Sequence, residues 1–291
     1  MRERRIRIAI PNKGRLSEQT LELFEQAGLK AAFRADRALI ASLGEDFQAI
    51  FVRAQDVPEY LADGAAELGV TGSDLVRESG RDVRQVLDLG FGRCRLVVAV
   101  KDDSPVRAST ELPEGTRVAT SFPRTASEHF ASLGIPIHIA PVSGAAEIAP
   151  HLGVADVIVD LTSTGSTLRV NGLREIDTIL HSSATLVASP SAMEDEGVRR
   201  EIDVLRTAIE SVLRAEAKRY LMANVPKARL AEVREVLPGI SGPTIVEVLD
   251  DGAWVAAHAV VDADRVYQTI ADLKELGAEG ILVTRIERLM P

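Results

Sequence analysis

The sequence predicts a chain of two α/β lobes followed by a smaller α+β module, and three observations support this prediction. Short apolar strands alternate with helical segments and Gly-containing loops from residue 6 to residue 98. A second strand–loop–helix unit begins near Arg117, after a turn-rich segment over residues 101–115. From Tyr220 onward the elements follow the order β-α-β-β-α-β, which is the ferredoxin-like plan.

The first lobe begins with a strand in which Ile6, Ile8 and Ile10 alternate with polar or small residues. A helix over 17–27 follows, and Gly28 is placed to end it. Strands are predicted over 46–52 and 68–72, with a short helix over 57–63 between them. Alternating strands and helices of this kind predict a mainly parallel sheet.

A strand over 95–100 is followed by the turn-rich segment over 101–115, which is expected to cross between the lobes. The second lobe is then predicted from a strand at 117–119 and a helix through 133. A strand at 137–140, a helix at 144–152 and a strand at 157–160 complete it. Two such lobes with facing loops imply a cleft, which is a common small-molecule site and is also the plan of periplasmic solute-binding proteins. The expected boundaries are 1–98 for lobe I with a return segment at about 183–214, 99–182 for lobe II, and 215–291 for the last module.

The C-terminal module follows an amphipathic helix that starts near residue 198. Its predicted elements are a strand at 220–225, a helix at 227–237, strands at 244–249 and 254–261, a helix at 263–276 and a strand at 280–287. Asp250-Asp251-Gly252 suits the hairpin turn between the two middle strands.

Composition excludes several classes of function. A formal net charge of −9 argues against a nucleic-acid surface, which needs an extended basic patch. Cys94 is the only cysteine, so the chain has no intrachain disulfide and a cytoplasmic location is expected. No apolar run reaches the ~20 residues of a membrane span, and no signal-peptide core follows the basic N-terminus. The five histidines lack metal-ligand spacing, and GxGxxG, Walker and nucleophile-elbow patterns do not occur.

The most informative segment directly follows the apolar residues Val157, Ile158 and Val159. We call residues 160–167 the hydroxyl loop, and they are Asp160, Leu161, Thr162, Ser163, Thr164, Gly165, Ser166 and Thr167. Hydroxyls and free backbone N–H groups suit a phosphate, and one carboxylate suits ribose hydroxyls or a divalent cation. An Asp before a Ser/Thr-rich surface turn is the equally common alternative for the loop taken alone.

The surrounding residues favour the first interpretation. The run from Glu147 to Leu168 has the pattern Glu-x5-Gly-x-Ala-x2-Ile-x-Asp-Leu-x2-Thr-Gly-x-Thr-Leu. This pattern resembles, position for position, the signature of ATP phosphoribosyltransferase, the enzyme that opens histidine biosynthesis. The resemblance covers nearly the whole chain.

Lobe I carries further parts of the resemblance. Pro11-Asn12-Lys13-Gly14-Arg15-Leu16 is similar to the family's first substrate loop, where two cations at a helix start suit a polyphosphate. Gly69-Val70-Thr71-Gly72-Ser73-Asp74 is similar to the family's Gly-Ile-Thr-Gly-x-Asp, which implies ATP contacts for Thr71, Gly72 and Asp74. The alternative for Asp74 is an ordinary helix N-cap. The chain departs from the family at Ala54 and Gln55, so only Arg53 is carried over there, and at Arg124.

The resemblance implies a reaction in which N1 of ATP displaces pyrophosphate from C1 of phosphoribosyl pyrophosphate (PRPP). The implied catalytic residues are Lys13, Arg15, Arg53 and Asp160, with Lys13, Gly14 and Arg15 also at the ATP. Glu147 and the hydroxyl loop are expected to bind PRPP. Glu147 and Asp160 are the expected ligands of Mg²⁺, which needs only one or two protein carboxylates beside substrate phosphates.

The C-terminal module is similar to the regulatory domain of the long form of this family. The similarity implies feedback inhibition by histidine in a homo-oligomer of dimers and hexamers, without a separate regulatory partner. Asn224, Ser241 and Thr244 are the candidate histidine contacts, and a module that serves assembly alone is the alternative. For the whole chain, a ligand-binding protein and a phosphoribosyltransferase with another acceptor are the competing hypotheses.

Overall fold

The computed structural model describes residues 5–33, 38–240, 242–248 and 252–290. Three sheets account for the strands of these residues. Among the same residues, no helix combines the length and the apolar character needed to cross a bilayer.

The first sheet, in lobe I, has seven strands. They are β1 (Ile6–Pro11), β2 (Ala31–Phe33), β3 (Ile40–Leu43), β4 (Phe47–Val52), β5 (Leu68–Gly72), β6 (Arg84–Asp88) and, much later in the chain, β12 (Ala184–Ala188). Their order is β2-β3-β4-β1-β5-β12-β6. Only β4-β1 and β1-β5 pair in parallel, whereas β3 and β12 are antiparallel to both of their neighbours. The prediction of a mainly parallel sheet is therefore wrong. The antiparallel strands β2 and β3 extend the sheet on one side, and β12, which returns from lobe II, pairs antiparallel with β5 and β6 on the other.

The helices of lobe I are α1 (Gly14–Gln26), α2 (Val57–Ala62) and α3 (Ser73–Ser79). Helix α1 starts earlier than the predicted residue 17, directly after the loop at the end of β1. It is amphipathic and buries Leu23 and Phe24 among other residues. A single 3-10 turn, Ala54–Asp56, precedes α2.

The second sheet, in lobe II, has five strands. They are β7 (Cys94–Lys101), β8 (Thr116–Thr120), β9 (Ile137–Pro141), β10 (Val157–Thr162) and β11 (Leu173–Ser182), in the order β11-β7-β10-β8-β9. Strand β8 is parallel to both β10 and β9, and β7 is antiparallel to both of its neighbours. The lobe's helices are α4 (Pro123–Ser132) and α5 (Ser166–Val170), with a 3-10 turn at Ser109–Glu111.

The predicted helix at 144–152 is wrong. Only a 3-10 turn, Ala146–Ile148, forms there. Ala145 adopts the left-handed conformation with φ 51°, and Pro150 has no N–H to continue a helix. Glu147 therefore lies on a turn.

The chain crosses between the two sheets twice. The first crossing lies between Asp88, the last residue of β6, and Cys94, the first of β7. It comes earlier than the expected boundary at 98, because all of β7 belongs to the second sheet. The second crossing is at Ser183, between β11 and β12. Two α/β lobes are present, as predicted.

The C-terminal sheet contains β13 (Lys218–Pro226), β14 (Thr244–Glu247), β15 (Trp254–Asp262) and β16 (Glu279–Arg285). Helices α8 (Leu230–Val236) and α9 (Val266–Glu275) follow β13 and β15, each after a 3-10 turn, at Lys227–Arg229 and Ala263–Arg265. The order β14-β15-β13-β16 confirms the ferredoxin-like plan. Asp250 and Asp251 of the predicted hairpin turn lie outside the described residues.

Alternate residues of β13 and β15 are buried, and this pattern determines which face of the C-terminal sheet the helices cover. Leu221 and Ala257 belong to a core cluster with Val233 of α8 and Leu273 of α9. The intervening residues lie on the face away from these helices, which we call the open face. The open face carries a hydrogen bond between Tyr220 Oη and His258 Nδ1 at 3.0 Å.

Helices α6 (Pro190–Glu194) and α7 (Glu196–Glu216) connect β12 to β13. The chain divides into two compact units, one of residues 1–25 and 29–202 and one of residues 26–28 and 203–291. The division at 202/203 lies within α7, before the expected boundary at 214/215.

Candidate functional site

The hydroxyl loop lies at the carboxyl end of β10. Asp160, Leu161 and Thr162 still belong to the strand, so the turn itself is residues 163–165. Gly165 has φ 71°, a left-handed conformation that glycine adopts without steric cost, and α5 begins directly after it. The buried hydroxyl of Thr162 accepts the Gly165 N–H at 2.9 Å and thereby shapes the turn.

The remaining hydroxyls of the loop are exposed. Ser163, Thr164, Ser166 and Thr167 all lie at the surface, and a hydrogen bond of 3.0 Å joins Thr164 Oγ1 to Ser166 Oγ. Several donors within one turn at a helix start form a surface that suits a phosphate.

Two carboxylates lie beside this loop. Asp160 is half-buried, and its Oδ1 accepts the Leu161 N–H at 2.7 Å. Burial raises the pKa of Asp160, and the nearby negative charge of Glu147 raises it further, whereas the hydrogen bond from Leu161 opposes the shift. Glu147 follows β9, two strands away from β10, so the sheet edge brings together two acids that are 13 residues apart.

Two charged residues that sequence analysis missed, Glu175 and Arg169, lie beside Gly165, and a third, Arg95, pairs with Glu175. Arg95 of β7 forms a two-pronged ion pair with Glu175 of β11, at 2.8 and 3.1 Å. A Cβ at Gly165 would lie 2.9 Å from Glu175 Oε1 and 3.0 Å from Arg169 Nη1. Arg169 Nη1 also donates to the Thr164 carbonyl at 3.2 Å. The position of Arg169 just after the signature is a sequence signal, but Glu175 lies on a strand that was not predicted.

Lobe II has two helices that follow parallel strands, and their N-termini differ. The first-turn amides of α4, from Arg124 and Thr125, each donate to Glu78 of α3 at 2.8 Å. A protein carboxylate thus already occupies the anion-binding end of α4. In α5 the corresponding end consists of the exposed Ser166 and Thr167. The hydroxyl loop is therefore the end that remains available to a phosphate.

The basic candidates of lobe I also lie at one sheet edge. Pro11 of β1 pairs with Val52 of β4, so the loop with Lys13 and the residue Arg53 leave the sheet side by side. Lys13, Arg15 and Arg53 are all exposed. Within the parts of the chain that the structure describes, their side chains form no hydrogen bond or ion pair. Three uncompensated cations at the carboxyl ends of parallel strands favour a polyanionic ligand.

Thr71, near the end of β5, and Asp74, in the first turn of α3, lie at the same edge, but both are buried. Thr71 Oγ1 donates to the Ala54 carbonyl at 2.7 Å and so holds the segment that follows Arg53. Asp74 accepts a hydrogen bond from Ser182 Oγ, next to the second crossing. Burial raises the pKa of Asp74, and the bond from Ser182 opposes the shift.

The N-cap alternative for Asp74 is wrong, because the N-cap of α3 is Gly72 and Asp74 lies inside the first turn. Of the predicted ATP residues, Gly14 and Gly72 lie at the exposed part of the edge with Lys13 and Arg15, since Gly14 is exposed and Gly72 is partly so. Thr71 and Asp74 support that edge from behind.

Of the departures from the family pattern, Arg124 makes side-chain contacts. The contact of Ala54 with Thr71 is through its backbone carbonyl, which any residue there could provide, and Gln55 is exposed. Arg124 Nε pairs with Glu128 at 2.9 Å on the same helix, and its guanidinium lies against Gly80 of lobe I.

In the C-terminal module, Asn224 and Thr244 are exposed on the open face of the sheet, on strands separated by β15. The third candidate, Ser241, lies outside the described residues. Among the described residues no group of three or more His, Cys, Asp or Glu side chains is arranged to hold a metal ion. A cation at Glu147 and Asp160 would consequently need ligands from substrate and water.

Comparison with known proteins matches one family over nearly the whole chain. The family model for ATP phosphoribosyltransferase, HisG, matches residues 53–211, and the model for the HisG C-terminal domain matches residues 215–288. A curated ATP phosphoribosyltransferase of Gemmatimonas aurantiaca is 59% identical over 291 aligned residues, covering 98% of this chain and 100% of the relative. One of Methanosarcina acetivorans is 48% identical with the same coverage.

A solved structure gives the same result. A chain of the ATP phosphoribosyl transferase (HisG:HisZ) complex from Thermotoga maritima is 32% identical, with a TM-score of 0.61. The match covers 70% of this chain and 98% of that one. With a catalytic-core match and a C-terminal-domain match in one polypeptide, this chain belongs to the ATP phosphoribosyltransferase family, the transferases that open histidine biosynthesis, in its long form.

Proposed function

We propose that this chain transfers the phosphoribosyl group of PRPP to N1 of ATP and releases pyrophosphate. The observation that carries the proposal is the division of charge between two sheet edges. Lobe II offers exposed hydroxyls beside Asp160 and Glu147, which suit a ribose phosphate. Lobe I offers Lys13, Arg15 and Arg53, which suit the pyrophosphate and the ATP phosphates.

In this proposal the hydroxyl loop binds the 5-phosphate of PRPP. Ser163, Thr164, Ser166 and Thr167 donate from their hydroxyls, with the first-turn amides of α5 behind them, and Thr162 and Gly165 hold the turn. Asp160 accepts hydrogen bonds from the ribose hydroxyls. The sugar is then held with C1 directed away from the loop, towards the incoming N1 of ATP.

Breaking the C1–oxygen bond leaves one positive charge on the sugar and adds one negative charge to the departing pyrophosphate. Lys13, Arg15 and Arg53 stabilise the leaving pyrophosphate, and Asp160 lies on the side of the sugar where positive charge develops. N1 of ATP carries a lone pair and no proton, so its attack needs no general base. The protein contributes position and charge.

A Mg²⁺ ion fits this donor set. Glu147 raises the pKa of Asp160, so the two carboxylates are close enough to repel each other, and a divalent cation would relieve that repulsion. When bound, Mg²⁺ would neutralise charge on the pyrophosphate. We assign Glu147 and Asp160 as its protein contacts, with substrate oxygens and water completing the shell.

For ATP we propose contacts from Lys13, Gly14, Arg15 and Gly72. Thr71 and Asp74 act through the backbone that they hold, because both side chains are buried and bonded to protein groups. Both substrates and a single-cysteine chain fit a cytoplasmic location.

For regulation we propose that histidine binds the open face at Asn224 and Thr244, in a homo-oligomer. The support is the C-terminal-domain match at 215–288 and the exposure of both residues on one face. The Thermotoga maritima chain was solved in a complex with HisZ. Because this chain has its own C-terminal module, we propose that its control needs no such partner.

The direct test is an absorbance assay for phosphoribosyl-ATP with ATP, PRPP and Mg²⁺. We expect product that disappears with EDTA, returns with Mg²⁺ and decreases with histidine. Absence of product with both substrates and Mg²⁺ present would refute the proposed reaction. Product formed with another nucleobase as the acceptor, but not with ATP, would favour a different phosphoribosyltransferase.

Replacing Asp160 with Asn should separate activity from stability. Loss of the charged hydrogen-bond acceptor should lower kcat/KM for PRPP on the order of 10- to 100-fold. The folded-state pKa of Asp160 is raised, so its contribution to the free energy of unfolding falls as pH rises from the unfolded pKa through the folded one. At pH 7 the D160N variant should therefore melt at the same temperature as the wild type or higher, with any gain vanishing in acid.

The matched control is Asp156→Asn, just before the same strand. Hydrogen bonding to Arg117 lowers the pKa of Asp156, so that carboxylate stabilises the fold above its unfolded pKa and loses this effect as pH falls. D156N should thus melt at a lower temperature at pH 7 and retain its activity. A lower melting temperature for D160N at pH 7, with unchanged activity, would assign Asp160 a structural role only.

Replacing Gly165 with Ala should weaken PRPP binding about tenfold, because a non-Gly left-handed residue costs roughly 1–2 kcal/mol. The new Cβ would also press on Glu175 and Arg169. Gly64→Ala is the control. Gly64 has a similar φ of 68°, but a Cβ added there would have no neighbouring atom within 4 Å. Calorimetric titration with PRPP should show the loss in G165A alone, and equal affinities in both variants would contradict a phosphate role for the loop.

Replacing Asn224 with Ala should raise the histidine concentration for half-inhibition about tenfold, the effect of one lost polar contact. Turnover without histidine should not change, because Asn224 belongs to the C-terminal sheet. Gln268→Ala, on an exposed position of α9, removes a comparable amide and should leave inhibition intact. Unaltered histidine inhibition in N224A would exclude Asn224 as a contact, and a wild type that ignores histidine would favour a module for assembly alone.

A further inference from the structure

Glu78 forms a three-donor contact between the two lobes. It lies on α3 of lobe I, and its carboxylate accepts hydrogen bonds from three donors on α4 of lobe II. Arg124 N and Thr125 N each lie at 2.8 Å, and Thr125 Oγ1 lies at 2.7 Å. Thr125 is fully buried and Glu78 is half-buried, so water competes little for these bonds.

The contact with Glu78 provides hydrogen-bond acceptors for the backbone N–H groups in the first turn of α4. A helix leaves its first amides without internal partners. Here the first helical residue is Pro123, which has no N–H. The next two amides both go to Glu78, and Ala126 N already reaches the Phe122 carbonyl at 3.0 Å. The N-terminus of α4 is thus completed only by a side chain of the other lobe, and charged acceptors at such ends are favourable.

Other groups bring the two helices close together. Gly80 ends α3, and the guanidinium of Arg124 lies against it, in the space that a Cβ at this position would occupy. Arg77 of α3 lies 3.7 Å from Glu128 of α4, and Glu128 also pairs with Arg124. These ion pairs are about half exposed and contribute little. Between α3 and α4, the Glu78 contact is therefore the strongest charged contact. Asp74 of α3 makes a separate contact with lobe II, through Ser182 of β11.

The two helices lead directly to the candidate site. Helix α3 follows β5 and the Gly72 end of the lobe I edge. Helix α4 follows β8, whose last residue, Thr120, pairs with Val159 beside Asp160. A fixed distance between α3 and α4 consequently fixes the two edges that hold opposite ends of a bound PRPP.

We propose that Glu78 is a positioning residue that aligns the lobe II edge with the lobe I edge before substrate binds. A ligand that contacts both edges then binds without losing free energy to fixing the position of one lobe relative to the other. A ligand that contacts the hydroxyl loop alone gains nothing from this alignment. The choice of ligands rests on the proposed function, whereas the contact between the lobes does not.

The test compares PRPP with ribose 5-phosphate by calorimetry, using full-length wild type, Glu78→Ala and Glu78→Gln. PRPP should bind both edges, and ribose 5-phosphate only the hydroxyl loop. We expect E78A to weaken PRPP about tenfold, within the usual range of coupling between sites, and to leave ribose 5-phosphate within twofold. Glu78→Gln keeps one acceptor oxygen and should fall between wild type and E78A.

Glu114→Gln is the matched control, because Glu114 is an exposed glutamate on a turn of lobe II. It should bind both ligands as the wild type does. Thr125→Val removes one of the three donors at nearly constant shape and should weaken PRPP less than E78A does. This milder variant keeps the test valid if E78A does not fold.

Equal losses for both ligands in E78A and T125V would overturn the proposal, since Glu78 would then act only on lobe II. Unchanged PRPP affinity in both would overturn it as well. Hydrogen exchange gives a readout independent of substrates. The Asp74 amide donates to Ser182 Oγ of lobe II without touching Glu78, and it should exchange at least about tenfold faster in E78A if Glu78 holds the lobes together. If the wild type bound neither ligand, the proposed function would fail, and the exchange rate alone would decide whether Glu78 holds the lobes.

Discussion

Parallel pairing of three strands in each lobe is the constraint on which the rest of the site depends. β4, β1 and β5 run together in the first sheet, and β10, β8 and β9 in the second. Parallel strands end at one edge, so loops far apart in sequence emerge side by side there. Antiparallel strands widen both sheets without moving these edges. The residues with ligand chemistry therefore collect at two places, one on each lobe.

The charged groups at the two edges do not stabilise the folded protein, but they are available to bind a ligand. Asp160 is half-buried near Glu147, and its raised pKa shows that burial and like charge both disfavour its ionised form. On lobe I, Lys13, Arg15 and Arg53 have no charged partner among the residues that the structure describes, although the chain has a net charge of −9. Free acids would readily pair with these cations in a structure selected for stability alone. Their separation leaves each group available to a ligand of opposite charge, which is the usual relation between function and stability.

Local patterns in the sequence predicted much of this protein. The signature from Glu147 to Leu168 identified the family, and the βαββαβ order identified the C-terminal fold, because both depend on neighbouring residues. The predictions were wrong or incomplete for elements whose structure depends on contacts between residues distant in sequence. Strands β2, β3, β11 and β12 were not predicted, and β12 joins the first sheet only after the chain has passed through the second. The helix expected at 144–152 is limited to one turn by Ala145 and Pro150.

By itself, the sequence determined the family, the order of the modules and the chemical types of the candidate residues, since motif and periodicity are local properties. Only the tertiary structure decided which side chains face a ligand and which face the protein. Thr71 and Asp74 match the family motif, but they are buried and bonded to Ala54 and Ser182. Glu78 matches no motif, yet it completes a helix of the other lobe. The physical reason is that burial and hydrogen-bond partners depend on how distant strands pack, which no local pattern encodes.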